Sequence, residues 1–145
     1  MKTLSNKYLL FLIRIIISFV FIYAGAEKIS NPDDFALSIS NYRLLPTSTL
    51  NFFSITLPWI EIVTGILLLF GISVKENSAI ILTMLSVFTI AIIISLFRGL
   101  SIDCGCFGKG TQIGLFKLGE NFLMIIGSLL LMLYGSDYIV LRQKD

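Results

Sequence analysis

Four stretches of mostly apolar residues, each about as long as a membrane span, organise the chain. They cover residues 8–26, 50–71, 78–97 and 118–141. A helix needs about 20 apolar residues to cross a bilayer, and it satisfies its own backbone hydrogen-bonding groups in lipid. The pattern therefore predicts an all-α fold, an integral membrane four-helix bundle in which residues 1–145 form a single transmembrane domain.

The connection between the first two spans, residues 27–49, has a helical pattern of its own. Asn31 and Pro32 suit the N-cap and the first helical position, and two acidic residues follow in the first turn. Apolar residues then recur on one helical face, at Phe35, Ile39 and Tyr42. We expect a short amphipathic helix here, lying on the membrane or across the mouth of the bundle.

The composition agrees with a membrane location. Hydrophobic residues make up 56% of the chain and charged residues 14%, whereas soluble domains have about 45–50% and about 25%. The net charge of +2 is too small to indicate a nucleic-acid partner, so the lipid bilayer is the predicted environment. The chain contains no His, which excludes imidazole metal ligands and His general bases.

Two cysteines separated by one glycine form the most specific chemical motif, Cys104-Gly105-Cys106. Residues at this spacing can approach closely enough for a disulfide, and Gly105 tolerates the unusual backbone angles of so small a ring. Such a ring stabilises a fold little, because it closes a very short loop, and a strained, exposed disulfide is easily reduced. A redox-active pair is therefore favoured over a structural disulfide or a metal site, in which two thiolates would leave a tetrahedral ion half coordinated.

Two charged residues lie inside predicted spans. Arg14 is in the first span and Glu61 in the second, and an ionisable residue within a membrane indicates a functional or paired site. Because the two spans are antiparallel neighbours, we predict an intramembrane Arg14–Glu61 pair. The alternative for Arg14 is that its side chain extends to the nearer interface.

The orientation rests on the N-terminal lysines. Four spans place both termini on one side, and the basic residues are divided evenly between the two sides. Lys2 and Lys7 precede the first span, which usually dominates orientation, so we expect the termini inside. Cys104 and Cys106 would then lie outside, where disulfides persist.

Motifs spread over nearly the whole chain fit one known pattern. They are Arg14, Phe21, Ala24-Gly25, Lys28 and Asn31-Pro32 around the first span, Leu45-Pro46, Leu57-Pro58, Glu61 and Gly65 around the second, and Asp103-Cys104-Gly105-Cys106-Phe107-Gly108 after the third. In these motifs the chain resembles the DoxX-like superfamily and, within it, the MauE family of methylamine utilisation membrane proteins. The resemblance implies a four-helix membrane bundle that helps to mature a periplasmic, disulfide-rich dehydrogenase by supplying or reshuffling disulfides.

The resulting hypothesis is a thiol–disulfide redox protein of the bacterial inner membrane. Cys104 and Cys106 are the predicted catalytic residues, and a thioredoxin-like or other periplasmic protein is the predicted partner. Because the chain has one cysteine pair, electrons would pass directly to a quinone or to a second protein. The alternatives are a non-enzymatic membrane scaffold or anchor for a periplasmic partner, and a small transporter or metal-handling protein.

Overall fold

The computed structural model describes residues 6–99 and 115–135, and all regular structure within these residues is helical. The helices are α1 (Lys7–Ser30), α2 (Pro32–Asn41), α3 (Thr47–Leu69), α4 (Val74–Phe97) and α5 (Leu115–Tyr134). The predicted all-α class is therefore confirmed.

Three of these helices are long and apolar enough to cross a membrane. They are α1, α3 and α4, whose apolar windows have mean hydropathies of 2.4, 1.9 and 2.7. Within the described residues α5 contributes a shorter apolar segment, Leu118–Tyr134. The four-span bundle therefore stays a prediction, and the part of the fourth stretch beyond residue 135 lies outside the described residues. Helix α1 continues to Ser30 and does not end at residue 26, so it includes Lys28.

Helix α2 is the short amphipathic helix that the first connection predicts. Pro32 occupies its first turn, and Phe35 and Ile39 are its buried residues. Tyr42, at its C-terminal cap, forms a buried cluster with Ile92 of α4, and Leu118 of α5 packs against this cluster. Helix α2 therefore lies across the end of the bundle at which α4 ends and α5 begins.

The distribution of polar and apolar side chains is inverted relative to a soluble protein. Many large hydrophobic side chains are exposed, among them Leu12, Ile16, Phe19, Tyr23, Phe52, Ile55, Val63, Val87, Ile90 and Leu123. Several polar and charged side chains are buried, among them Arg14, Ser18, Lys28, Glu61, Asn77, Ser78, Asn121 and Ser128. Lipid is the environment in which this arrangement is stable, because exposed apolar groups then lie in acyl chains and polar groups find partners inside the bundle.

Helices α1 and α3 approach each other closely at two glycines. A Cβ built on Gly25 would lie 2.6 Å from Ile62 Cγ1 and 2.8 Å from the backbone oxygen of Pro58. At Gly65 the corresponding distances are 2.9 Å to Ile22 Cγ1 and 3.2 Å to the backbone oxygen of Ser18. Small residues at membrane helix interfaces allow this kind of backbone approach, which fixes the register of the two helices.

The substitution Gly25→Ala is expected to destabilise the bundle by about 1–3 kcal/mol, because the added methyl overpacks the α1–α3 interface. Gly119→Ala in α5 is the matched control, since within the described residues no heavy atom beyond the adjacent residues and the helix's own backbone lies within 4 Å of a Cβ built there. The control should be neutral or gain up to about 1 kcal/mol of helix propensity. Unfolding of both variants in mixed detergent micelles gives the comparison, and equal stabilities would contradict the proposed packing.

Candidate functional site

The glycine contact between α1 and α3 brings two charged residues together inside the bundle. Lys28 follows Gly25 by three residues on α1, and Glu61 follows Pro58 by three residues on α3. Residues three apart share a helical face. Because α1 and α3 run antiparallel, Lys28 and Glu61 lie on opposite sides of the Gly25–Pro58 contact along the helix axes, and their long side chains reach across the close helix interface to meet.

Lys28 and Glu61 form a buried, bidentate ion pair. Lys28 Nζ donates to Glu61 Oε1 at 2.6 Å and to Oε2 at 2.9 Å. Only 6% of Lys28 and 3% of Glu61 is exposed. Nζ also lies 5.1 Å from the ring centroid of Phe35 in α2 and 5.6 Å from that of Phe88 in α4. Two charge-assisted hydrogen bonds and two aromatic faces thus stabilise an ammonium group away from bulk water.

A small cavity adjoins this ion pair. It has a volume of about 20 Å³, enough for about one water molecule. Its polar lining consists of Lys28, Glu61 and Asn121 of α5, and the rest is apolar: Val20, Phe21, Ala24, Leu85, Phe88 and Met124. Asn121 is 3% exposed, and among the described residues its Nδ2 has no hydrogen-bond partner. The site therefore combines a buried ion pair with an unsatisfied amide donor.

The partner that the structure gives to Glu61 is Lys28. Arg14 also faces the interior, with 1% of its surface exposed and its guanidinium carbon 5.0 Å from the Phe11 ring centroid. The Arg14–Glu61 pair and the extension of Arg14 to the nearer interface both stay predictions.

Neither Lys28 nor Asn121 was named as a site residue from the sequence, and Lys28 entered only as part of the motifs that carry the family resemblance. The apolar run of the first span ends before Lys28, so this residue was placed in a connection. The spacing of Lys28 was a usable signal. Arg14, Phe21 and Lys28 follow one another at intervals of seven residues, which places all three on nearly one helical face. For Asn121 the signal was an amide within an apolar stretch, where polar side chains usually bond across helices.

Cys104 and Cys106 lie outside the described residues. The structure does describe where the segment that contains them begins and ends. Helix α4 ends at Phe97, and α5 begins at Leu115. Arg98, which follows α4, donates from Nη1 to the backbone oxygen of Tyr42 at 3.5 Å, a long hydrogen bond. The cysteine segment therefore begins at the end of the bundle covered by α2, which is also the end nearer to the Lys28–Glu61 pair.

Comparison with known proteins gives four informative relatives and no matching solved structure. Methylamine utilization protein MauE of Methylorubrum extorquens is 30% identical over 61% of this chain, and that of Paracoccus denitrificans is 27% identical over 88%. Protein TlpB of Flavobacterium psychrophilum is 33% identical over 75% of this chain.

The matches cover only part of each relative. They span 48% of the Methylorubrum protein, 67% of the Paracoccus protein and 32% of TlpB. The family described as "Methylamine utilisation protein MauE" matches residues 6–134, which includes all five helices and the cysteine motif. Placement in the wider DoxX-like superfamily stays a prediction. With most of its length matched and three helices able to cross a membrane, the chain is a multi-pass membrane protein that belongs to the MauE family.

Proposed function

We propose that this protein is a thiol–disulfide redox protein of the bacterial inner membrane that exchanges disulfides with a periplasmic partner. The observation that carries the proposal is Cys104-Gly105-Cys106, the two cysteines of the chain held one residue apart in the connection between α4 and α5. Family membership supports the membrane setting and a role alongside another protein. The MauE relatives are named for methylamine utilisation, and a link of this chain to that metabolism is part of the proposal.

The proposed exchange moves a disulfide from Cys104 and Cys106 to the partner in two steps. A partner dithiol attacks the Cys104–Cys106 disulfide, and a mixed disulfide forms as one sulfur leaves as a thiolate. The second partner thiol then attacks the mixed disulfide, which leaves the partner oxidised and Cys104 and Cys106 as two thiols. The partner has given up two electrons and two protons. A quinone, reduced to a quinol, or the disulfide of a second protein takes them up to restore the starting state.

Replacement of one cysteine at a time is expected to trap the partner. In Cys106→Ser the remaining Cys104 thiolate attacks the disulfide of the oxidised partner, which is the reverse of the proposed exchange, and one partner sulfur leaves as a thiolate. No second thiol of the chain can then resolve the mixed disulfide, and in Cys104→Ser the same holds for Cys106. One of the two variants should therefore accumulate a covalent complex with a periplasmic protein, seen as a reductant-sensitive band and identified by mass spectrometry. A thioredoxin-like or other cysteine-containing protein is the expected partner.

The double variant Cys104→Ser/Cys106→Ser is the control for this experiment. It should form no covalent complex and should leave the partner reduced, while it retains the membrane bundle. A double variant that supports normal oxidation of the partner would contradict the redox proposal and favour a membrane scaffold or anchor. Equal trapping of many unrelated proteins by both single variants would contradict a specific partner.

The proposed orientation places the cysteines in the periplasm. With the N-terminus inside, α1, α3 and α4 cross in turn, so the segment after α4 lies outside whether or not α5 spans. After mild reduction, a membrane-impermeant maleimide should label Cys104 and Cys106 in cells whose outer membrane is permeable to it. Glu76→Cys in a cysteine-free variant is the matched control, because the exposed position 76 begins α4 at the opposite end and should be labelled only after lysis. The reverse labelling pattern would invert the topology.

A further inference from the structure

The amide of Asn121 is a buried hydrogen-bond donor that lines a cavity. Within residues 6–99 and 115–135 its Nδ2 lacks a hydrogen-bond partner, although only 3% of the residue is exposed. A buried donor without a partner costs about 1–3 kcal/mol, and native structures usually satisfy such a group with protein or with ordered water. Asn121 therefore indicates a ligand in the cavity that it lines.

The polar groups around the cavity determine which hydrogen bonds that ligand must accept or donate. Asn121 Nδ2 can only donate, so the ligand must accept a hydrogen bond. Glu61 accepts two hydrogen bonds from Lys28, and a carboxylate can accept about four. A ligand that also donates a hydrogen bond could therefore bond to the remaining acceptor capacity of Glu61. A ketone or quinone oxygen accepts but does not donate, whereas a water molecule does both.

The size of the cavity supports the same ligand. A cavity needs about 10–15 Å³ to hold a water, and the water needs two to four polar partners. This cavity has about 20 Å³ and three polar groups in its lining. The other lining residues are apolar and allow no second polar molecule to be satisfied. We infer that one water molecule occupies the cavity, accepts a hydrogen bond from Asn121 and donates one to Glu61.

This water would lower the cost of burying the ion pair. Removing two charges from water carries a penalty that their attraction offsets only when the remaining hydrogen-bonding capacity is used. The bridging water uses carboxylate lone pairs that Lys28 leaves open, and it connects α5 to the α1–α3 pair. Asn121 thus becomes a positioning residue for the water and not a direct partner of either charge.

Nuclear magnetic resonance of the full chain, uniformly labelled with ¹⁵N in bilayers, tests the inference directly. The Asn121 side-chain amide is assigned by its disappearance in Asn121→Leu. In the wild type it should show magnetisation transfer to a water proton, while an interior amide in contact only with protein would not. Absence of that transfer in a sample with the intact bundle would overturn the inference.

A variant that fills the cavity provides the second test. Val20→Ile adds one methylene to a half-buried residue of the lining, and Val87→Ile adds the same group at an exposed position of α4. The transfer from water to Asn121 should be lost in Val20→Ile and unchanged in Val87→Ile. The unfolding midpoint should fall in Val20→Ile and recover in part in Val20→Ile/Asn121→Leu, because the second change removes the stranded donor. Transfer that persists in Val20→Ile would overturn the assignment to this cavity.

Discussion

Replacing Lys28 with Met is expected to lower the free energy of unfolding by about 3–5 kcal/mol, because it leaves the Glu61 carboxylate buried without its counter-ion. Met is close to Lys in length and shape, so packing against Phe35 and Phe88 is largely kept. The structure makes the effect large, since Glu61 is 3% exposed and both of its oxygens bond Lys28. Lys75→Met is the matched control at an exposed position of α4 and should change stability by less than about 0.5 kcal/mol.

The double variant Lys28→Met/Glu61→Gln separates loss of the pair from loss of one charge. If the two residues interact, the double variant should be clearly more stable than the sum of the two single losses predicts. Folding can be followed by far-ultraviolet circular dichroism as a denaturing detergent is added to mild micelles. Additive losses, or a Lys28→Met effect no larger than that of Lys75→Met, would contradict a structural ion pair.

The same comparison of single and double variants, with Arg14→Met in place of Lys28→Met, tests the Arg14–Glu61 pair predicted from the sequence. Gly65 packs against Ser18 and Ile22, and Gly25 packs against Pro58 and Ile62. This antiparallel register sets Glu61 nearer to Lys28 than to Arg14 along α1. We therefore expect the coupling of Lys28 to Glu61 to exceed that of Arg14 to Glu61. A larger coupling for Arg14 would favour the sequence-based pair.

The helices could be predicted from the sequence because the pattern that indicates each of them extends over many consecutive residues. The charged residues of helix α4, Lys75 and Glu76, lie near its start, and the uncharged, mostly apolar run from there to Phe97 indicates a membrane helix. Helix α2 was predicted from its Pro-Asp-Asp start and its spaced apolar residues, and the structure buries Phe35 and Ile39 as expected. Both predictions depend on neighbouring residues within one element.

The site was harder to predict from the sequence, because it depends on which residues of different helices lie close together. Whether Glu61 meets Arg14 or Lys28 is decided by the α1–α3 register, and that register comes from the steric fit at Gly25 and Gly65. Single-helix patterns show which face a residue occupies, but a shift of one turn between neighbours changes the partner without changing any pattern. Asn121 joins the site from α5 for the same reason, because the other residues that line the cavity include Lys28 of α1 and Glu61 of α3, which are far away in the sequence.

The reduction potential of the Cys104–Cys106 disulfide is the remaining quantity that distinguishes the proposed function from its alternatives. A disulfide across a single glycine closes a very small ring, and ring strain favours the reduced state. Structural disulfides usually have potentials below about −300 mV, and strained, reactive ones lie higher. A protein that donates disulfides must lie above its partner, since electrons flow towards the more oxidising couple.

We therefore expect the Cys104–Cys106 couple to lie well above that limit, and a difference of about 90 mV would correspond to a roughly thousandfold change in the equilibrium constant for exchange. Purified protein equilibrated with a series of glutathione buffers, then alkylated with a mass-shifting reagent, gives the reduced fraction at each potential. The chain has no other cysteine, so the mass shift reports this pair alone, and Cys104→Ser supplies the reference for a single thiol. A potential below −300 mV, or a pair that stays reduced under strong oxidant, would exclude disulfide donation. The motif would then have to act as a structural or metal-binding element, and the scaffold and transporter alternatives would gain the support that the redox proposal loses.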